Sequence, residues 1–180
     1  MKSDVAISAR PEPGEYAPYY HKYVSLVPDG DILVILEKQS LNTVALLTPR
    51  ETDGDFRYAI GKWSVKELLG HVIDTERVFS YRAMRIARND KTPMEGFEQD
   101  DYVQYGPFGQ SSLTALLEEF TSVRKATLPL FRALDESAWT RRGVANNNEV
   151  TVRGLAYIIA GHELHHRKIL AEKYFSASGS

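Results

Sequence analysis

The chain has no cysteine in its 180 residues. Disulfides, thiolate metal ligands and a protein thiol nucleophile are therefore excluded, and any thiol chemistry must use an external thiol. No apolar run reaches the roughly 18 residues that a membrane span needs. The N-terminal stretch lacks an apolar signal region, so a cytoplasmic protein with no membrane partner is expected. Neither sign of charge predominates. The formal net charge is −2 and no basic cluster stands out, so nucleic acid is not an expected partner. There is no glycine-rich phosphate loop, no Ser-His-Asp arrangement, no internal repeat and no convincing strand pattern. What is present is ordinary for a globular chain: 43% hydrophobic and 26% charged residues, enough for one domain with a sizeable core.

Four amphipathic helices can be read along the chain. Residues 1–30, with Pro11, Pro13, Pro18, Pro28 and Tyr16, Tyr19, Tyr20, Tyr23, form an arm without helical period. Its tyrosines suggest that it lies against the body, and its His21 reads as a surface residue. Asp29 to Asp31 offers caps for a first helix to Leu47, with Ile32, Ile35, Leu36, Val44 and Leu47 on its apolar side. Ser64 followed by Glu67 is a capping box opening a second helix, Val65 to Arg88. Arg77, Arg82, Arg85 and Arg88 read as its solvated face. Residues 89–110 form a long connection, able to cross the bundle so that the second and third helices run parallel. Tyr102, Tyr105 and Phe108 in it are candidates to line the mouth of a site, or to pack on the bundle. The third helix starts near Ser111 or Ser112, with a kink expected at Pro129. Arg141 to Glu149 reads as a polar loop, and Thr151 caps a fourth helix to about Tyr174. The result is an all-α four-helix bundle over 31–175, with 176–180 as a disordered tail.

Chemistry concentrates in Gly161-His162-Glu163-Leu164-His165-His166-Arg167. His162 and His166 are four apart, which stacks them on one helical face roughly 5–6 Å apart at Cβ. They continue the inward seam Val152, Leu155, Ile159, where apolar residues would be expected. Two buried imidazoles one turn apart need partners: either carboxylates and carbonyls, or one shared divalent metal ion. A third ligand is at hand. His71 lies ~10 Å from the start of the second helix, and His162 and His166 average ~14 Å from the end of the fourth. If those helices are antiparallel, the three imidazoles meet at one level. Three neutral histidines suit Zn²⁺, Ni²⁺ or Fe²⁺ and leave coordination positions open. His165 is off the seam and reads as a flank residue. Asp74 and Glu163 read either as acceptors for a ligand's distal N–H or as ordinary surface acids.

Two stretches carry a family resemblance. Gly61-Lys62-Trp63-Ser64-Val65-Lys66-Glu67-Leu68-Leu69-Gly70-His71-Val72-Ile73-Asp74-Thr75-Glu76 resembles the second-helix motif of the DinB superfamily, and Gly161 to His166 its fourth-helix motif. Tyr81-Arg82-Ala83 through Arg88-Asn89-Asp90, then Pro93 and Phe97, and the Tyr-Pro-rich arm also fit. The resemblance implies a bundle in up-down-down-up order, often dimeric, with a divalent metal held by His71, His162 and His166. Characterised relatives include bacillithiol transferases and mycothiol-dependent maleylpyruvate isomerase. Three ligands with open coordination positions, and an aromatic, glycine-containing loop at 89–110 to cover them, point to a metal-dependent enzyme acting on a small molecule, of thiol S-transferase or hydrolase type, with a low-molecular-weight thiol as co-substrate in the first case. The alternative is a non-catalytic metal-binding bundle with a structural, stress-response or partner-binding role.

Overall fold

The computed structural model describes residues 9–176. Most of the expected tail, residues 177–180, lies outside these, as do residues 1–8 of the arm. The elements are α1 (His21–Val24), α2 (Ile32–Leu47), α3 (Val65–Ala87), α4 (Gln99–Tyr105), α5 (Leu113–Arg132), α6 (Glu136–Trp139), β1 (Arg142–Ala145), β2 (Asn148–Thr151) and α7 (Val152–Ile169). The four long helices α2, α3, α5 and α7 make the bundle.

Each bundle helix starts where a side chain can satisfy its first free amides. Asp31 accepts from the Leu33 amide, Ser112 from Ala115, and Thr151 from Gly154. Ser64 and Glu67 form the reciprocal capping box. The α5 helix runs on through Pro129 to Arg132. At the other end of the chain, α7 passes into one π-helical turn, Leu170–Tyr174.

Contacts give the directions. Lys66 reaches Gly109, Arg77 pairs with Glu119 and Glu76 with Arg124, so α3 and α5 run parallel. Trp63 meets Tyr174 and His71 meets His162, so α3 and α7 are antiparallel. Glu51 meets Thr114 while Leu36 meets Arg124, so α2 opposes α5. The order is up-down-down-up, and residues 89–110 are the long crossover that two parallel neighbours require.

The crossover is not bare loop. It holds α4 and a 3₁₀ turn, Pro107–Gln110, that drives Phe108 into the core at 4% exposure. Phe108 packs flat on Gly70, where a Cβ would sit 2.3 Å from its ring, so only glycine allows this approach. Phe108 is thus a core residue and does not line a mouth.

Two further expectations are corrected. The Arg141–Glu149 segment is not simply a polar loop: β1 and β2 form an antiparallel hairpin, pairing Gly143 with Val150 and Ala145 with Asn148. Asn146 (φ 49°) and Asn147 (φ 60°) occupy its turn. Two-residue hairpin turns favour positive φ at both central positions, which asparagine tolerates better than most residues. Met94 hydrogen-bonds to Val144 and Asn146, tying the crossover to this hairpin. Arg82 is not on a solvated face. It is 4% exposed, donates to the Glu95 carbonyl and sits over the Phe79 and Phe97 rings.

The core has two apolar clusters. One gathers around Ile86, Phe131, Trp139 and Ile158, the other around Leu69, Ile73, Leu113 and Phe120. Between them, at mid-height on all four helices, lie Gln39, Thr43, Glu76, Arg124 and Glu163, all buried. Arg124 clamps Glu76 through two bonds of 2.8 Å each and also donates to Glu163 at 2.7 Å and to the Leu36 carbonyl. Glu163 accepts further bonds from Gln39 (2.7 Å) and Thr43 (2.6 Å). Glu163 is therefore neither a surface acid nor an acceptor for a histidine N–H. No helix among the described residues is long and apolar enough to cross a membrane.

Candidate metal centre

His71 projects from α3 about two turns after its N-cap Ser64, and His162 and His166 project from α7 one turn apart. Antiparallel packing brings them to one level, as the axial reckoning expects. The Nε2 of His162 lies 3.0 Å from Nε2 of His71 and 3.1 Å from Nε2 of His166. All three residues are buried, and their ligand atoms lie within 4.8 Å of one another. His165 stands outside this cluster, half-exposed, with its ring 5.2 Å from that of Tyr23. Asp74 pairs with Arg77 instead of an imidazole. His21 is exposed and meets the Tyr16 hydroxyl at 3.2 Å.

Burial governs the protonation of the cluster. It pushes His71 down to about 4 and holds His166 far below the ordinary histidine value. His162 is lowered by burial first and then by repulsion from His166 and His71. The rings are therefore neutral near pH 7. A neutral imidazole nitrogen offers either one proton or one lone pair. His162 Nε2 cannot satisfy both neighbours with one of either, whereas a single cation accepts all three lone pairs. Three nitrogens of this kind, with space beside them, match the donor set of an open divalent metal site. The residues present fit the group. His166 Nδ1, on the far side of its ring, is buried with no protein partner among the described residues.

The surroundings come from segments that carry no histidine signal. The Trp63 ring packs on His71 with centroids 4.8 Å apart, and Tyr23 covers His162 at 5.4 Å. The arm gets this close because of Gly161: a Cβ there would lie 2.1 Å from the Tyr23 carbonyl oxygen. A cleft of about 370 Å³ opens onto His71 and His162, walled by Tyr19, Tyr20, Phe79 and Phe97, with Asn146 and Asn148 of the hairpin at its edge. Thr75, one turn beyond His71, also lines it, and its buried hydroxyl has no partner among the described residues. A second cleft, about 280 Å³, reaches His166 between Tyr58, Lys62, Trp63 and Tyr174. Asp100 borders both. Of the crossover aromatics, Phe97 lines the first cleft, while Tyr105 is 81% exposed. Sequence reasoning missed the wall residues Trp63, Thr75 and Phe97. Thr75 had a signal, since it shares a helical face with His71 at four-residue spacing.

Fold and site together define an up-down-down-up helical bundle with a three-imidazole centre between its second and fourth helices. The chain belongs to the DinB superfamily, whose family model matches residues 35–170. Among solved structures it is similar to YfiT from Bacillus subtilis, described as a probable metal-dependent hydrolase with an unusual four-helix bundle topology. That likeness has a TM-score of 0.67 at 13% identity and covers 94% of this chain and 95% of YfiT. A search of curated proteins finds no sequence match.

Proposed function

We propose that His71, His162 and His166 hold one divalent metal ion, Zn, Ni or Fe, and that the protein is a metal-dependent enzyme acting on a small molecule. The observation that carries this reading is the convergence of three buried, neutral imidazoles beside two clefts, one opening onto His71 and His162 and the other onto His166. The family and the description of YfiT support it. When bound, such a metal lowers the pKa of a bound water or thiol and polarises an electrophile.

The chain's own residues supply the rest. Tyr20, Phe79 and Phe97 offer an apolar bed for a substrate body, and Trp63 and Tyr23 screen the imidazoles from bulk water. The reaction is of hydrolase or thiol S-transferase type. The second cleft, at His166, favours transfer, because a transferase must seat two partners beside one centre and a hydrolase only one. A low-molecular-weight thiol is the co-substrate in that reading. The proposed form is a cytoplasmic homodimer, the dimer resting on the family resemblance alone.

The test is turnover by metal-loaded full chain against esters, amides and thiol–electrophile pairs. The expected result is turnover that chelation abolishes and that His71→Ala reduces to background. Metal-loaded protein silent across the whole panel would leave the non-catalytic metal-binding bundle as the better account.

A further inference from the structure

One side chain in the wall of the first cleft is left without a hydrogen bond. Thr75 is 3% exposed and lines the cleft, and its hydroxyl has no partner among the described residues. A threonine or serine hydroxyl inside a helix often bonds the carbonyl one turn back. On α5 they do so: Thr121 donates to Leu117 at 2.8 Å, Ser122 to Glu118 at 2.8 Å and Thr127 to Val123 at 3.0 Å. Thr75 makes no such bond to His71. A buried hydroxyl without a partner costs stability, and an apolar side chain of the same shape would not carry that cost. A helical threonine uses two χ1 positions, so its hydroxyl can turn to an acceptor that a ligand brings.

Placement says what kind of ligand. His71, Thr75 and Phe79 follow one another at four-residue spacing on α3, and all three line the cleft. At 1.5 Å per residue, this sets an imidazole, a hydroxyl and an aromatic ring about 6 Å apart along one helix face. The Phe79 ring meets Tyr20 edge-on at 5.8 Å and Phe97 at 6.5 Å. Such a cluster favours a further aromatic ring in an offset or edge-on contact. The cleft's volume of about 370 Å³ is more than twice the roughly 150 Å³ that suffices for benzene. Charge is placed elsewhere. Among the described residues no lysine or arginine lines the cleft, and the acids that do, Glu98 and Asp100, are exposed. Arg82 lies over the Phe79 and Phe97 rings and donates to the Glu95 carbonyl, and Lys22 lies over the rings of Tyr19 and Tyr23. Away from the imidazoles, a carboxylate or phosphate on a ligand would therefore find no cation lining its binding surface.

We propose that the first cleft takes the uncharged aromatic part of the substrate, and that Thr75 is a specificity residue whose hydroxyl donates to an acceptor atom carried between that ring and the imidazoles. This rests on the proposed metal-dependent enzyme and deepens it by naming the substrate class: small aryl compounds with a carbonyl or similar acceptor beside the ring.

The experiment uses metal-free full chain and three matched probes: benzamide, its saturated analogue cyclohexanecarboxamide, and benzoate. Affinities are read from amide chemical shifts in NMR titrations of wild type, Thr75→Val, Thr75→Ser and Phe97→Ala, beside the melting temperature of each. Benzamide should bind wild type and shift amides around Thr75, Phe79 and Phe97, with the other two probes at least about three-fold weaker. Thr75→Val should bind benzamide about three- to ten-fold more weakly, the worth of one hydrogen bond, with its melting temperature unchanged or raised. Thr75→Ser keeps the hydroxyl and should stay within about two-fold of wild type. Phe97→Ala should lose about ten-fold. If Thr75→Val binds benzamide as wild type does, or fails to fold, Thr75 is a packing residue and its role is overturned. Benzoate or the saturated amide binding as tightly as benzamide would overturn the substrate class. Zn²⁺ affinity is measured in parallel. A wild type that binds benzamide but no Zn²⁺ would overturn the metal reading and uphold the cleft assignment, and one that binds Zn²⁺ but no benzamide would do the reverse.

Discussion

Arg124→Met should be the most damaging single substitution in the bundle, lowering stability by about 3–5 kcal/mol, the usual cost of removing one partner from a buried ion pair. The reason is what it leaves behind. Glu76 and Glu163 would face each other inside the bundle with no cation, both at 2% side-chain exposure. The Leu36 carbonyl would lose its donor as well. Methionine fills much of the volume but supplies none of these bonds. For a domain of this size each kcal/mol moves the midpoint by about 2–4 °C, so the loss should read as a drop of roughly 6–20 °C in thermal denaturation. Arg77→Met is the contrast: that exposed pair with Glu119 should cost no more than about 1 kcal/mol. Equal losses for the two variants would refute the account of the polar layer.

Zn²⁺, as a test ion for the three-histidine site, should raise the melting temperature of metal-free wild type by a large margin. A ligand that binds only the folded state stabilises it by about 4 kcal/mol when its free concentration is a thousand times its Kd. By the same conversion this is roughly 8–16 °C. The folded state alone holds Nε2 of His71 and His162 3.0 Å apart, across 91 positions of sequence. An unfolded chain presents those nitrogens singly. His166→Ala leaves two ligands and should reduce the shift to a few degrees at the same Zn²⁺ concentration. A full shift in that variant would place the responsible site elsewhere in the chain.

Much of this architecture is legible in the sequence. The caps at Asp31, Ser64, Ser112 and Thr151 are local chemistry, and they stand where the sequence puts them. The three histidines were legible too, because two interrupt an apolar seam at four-residue spacing and the third falls at the same axial level. What escaped depends on long-range packing. Glu76, Arg124 and Glu163 look like surface charges in a linear reading, since each becomes internal only when three helices supply partners for it. Arg82 was misplaced for the same reason: its shelter comes from Phe97 and Glu95 in the crossover. The hairpin had a signal in its consecutive asparagines, but its strands are four residues each and lack clear alternation. The arm's role depends on one glycine, Gly161, whose missing Cβ lets the Tyr23 backbone onto α7. Nothing in a single sequence distinguishes that glycine from a helix defect.

The most direct test of the central claim is metal content by elemental analysis of tag-free protein, wild type beside His162→Ala. His162 is the residue to remove, because its Nε2 meets both other imidazoles. The account predicts about one equivalent of a divalent metal in the wild type, lost in a variant that stays folded. Absence of metal from both, even after incubation with Zn²⁺, Ni²⁺, Mn²⁺ and Fe²⁺, would contradict it and return the three histidines to the core as packed imidazoles.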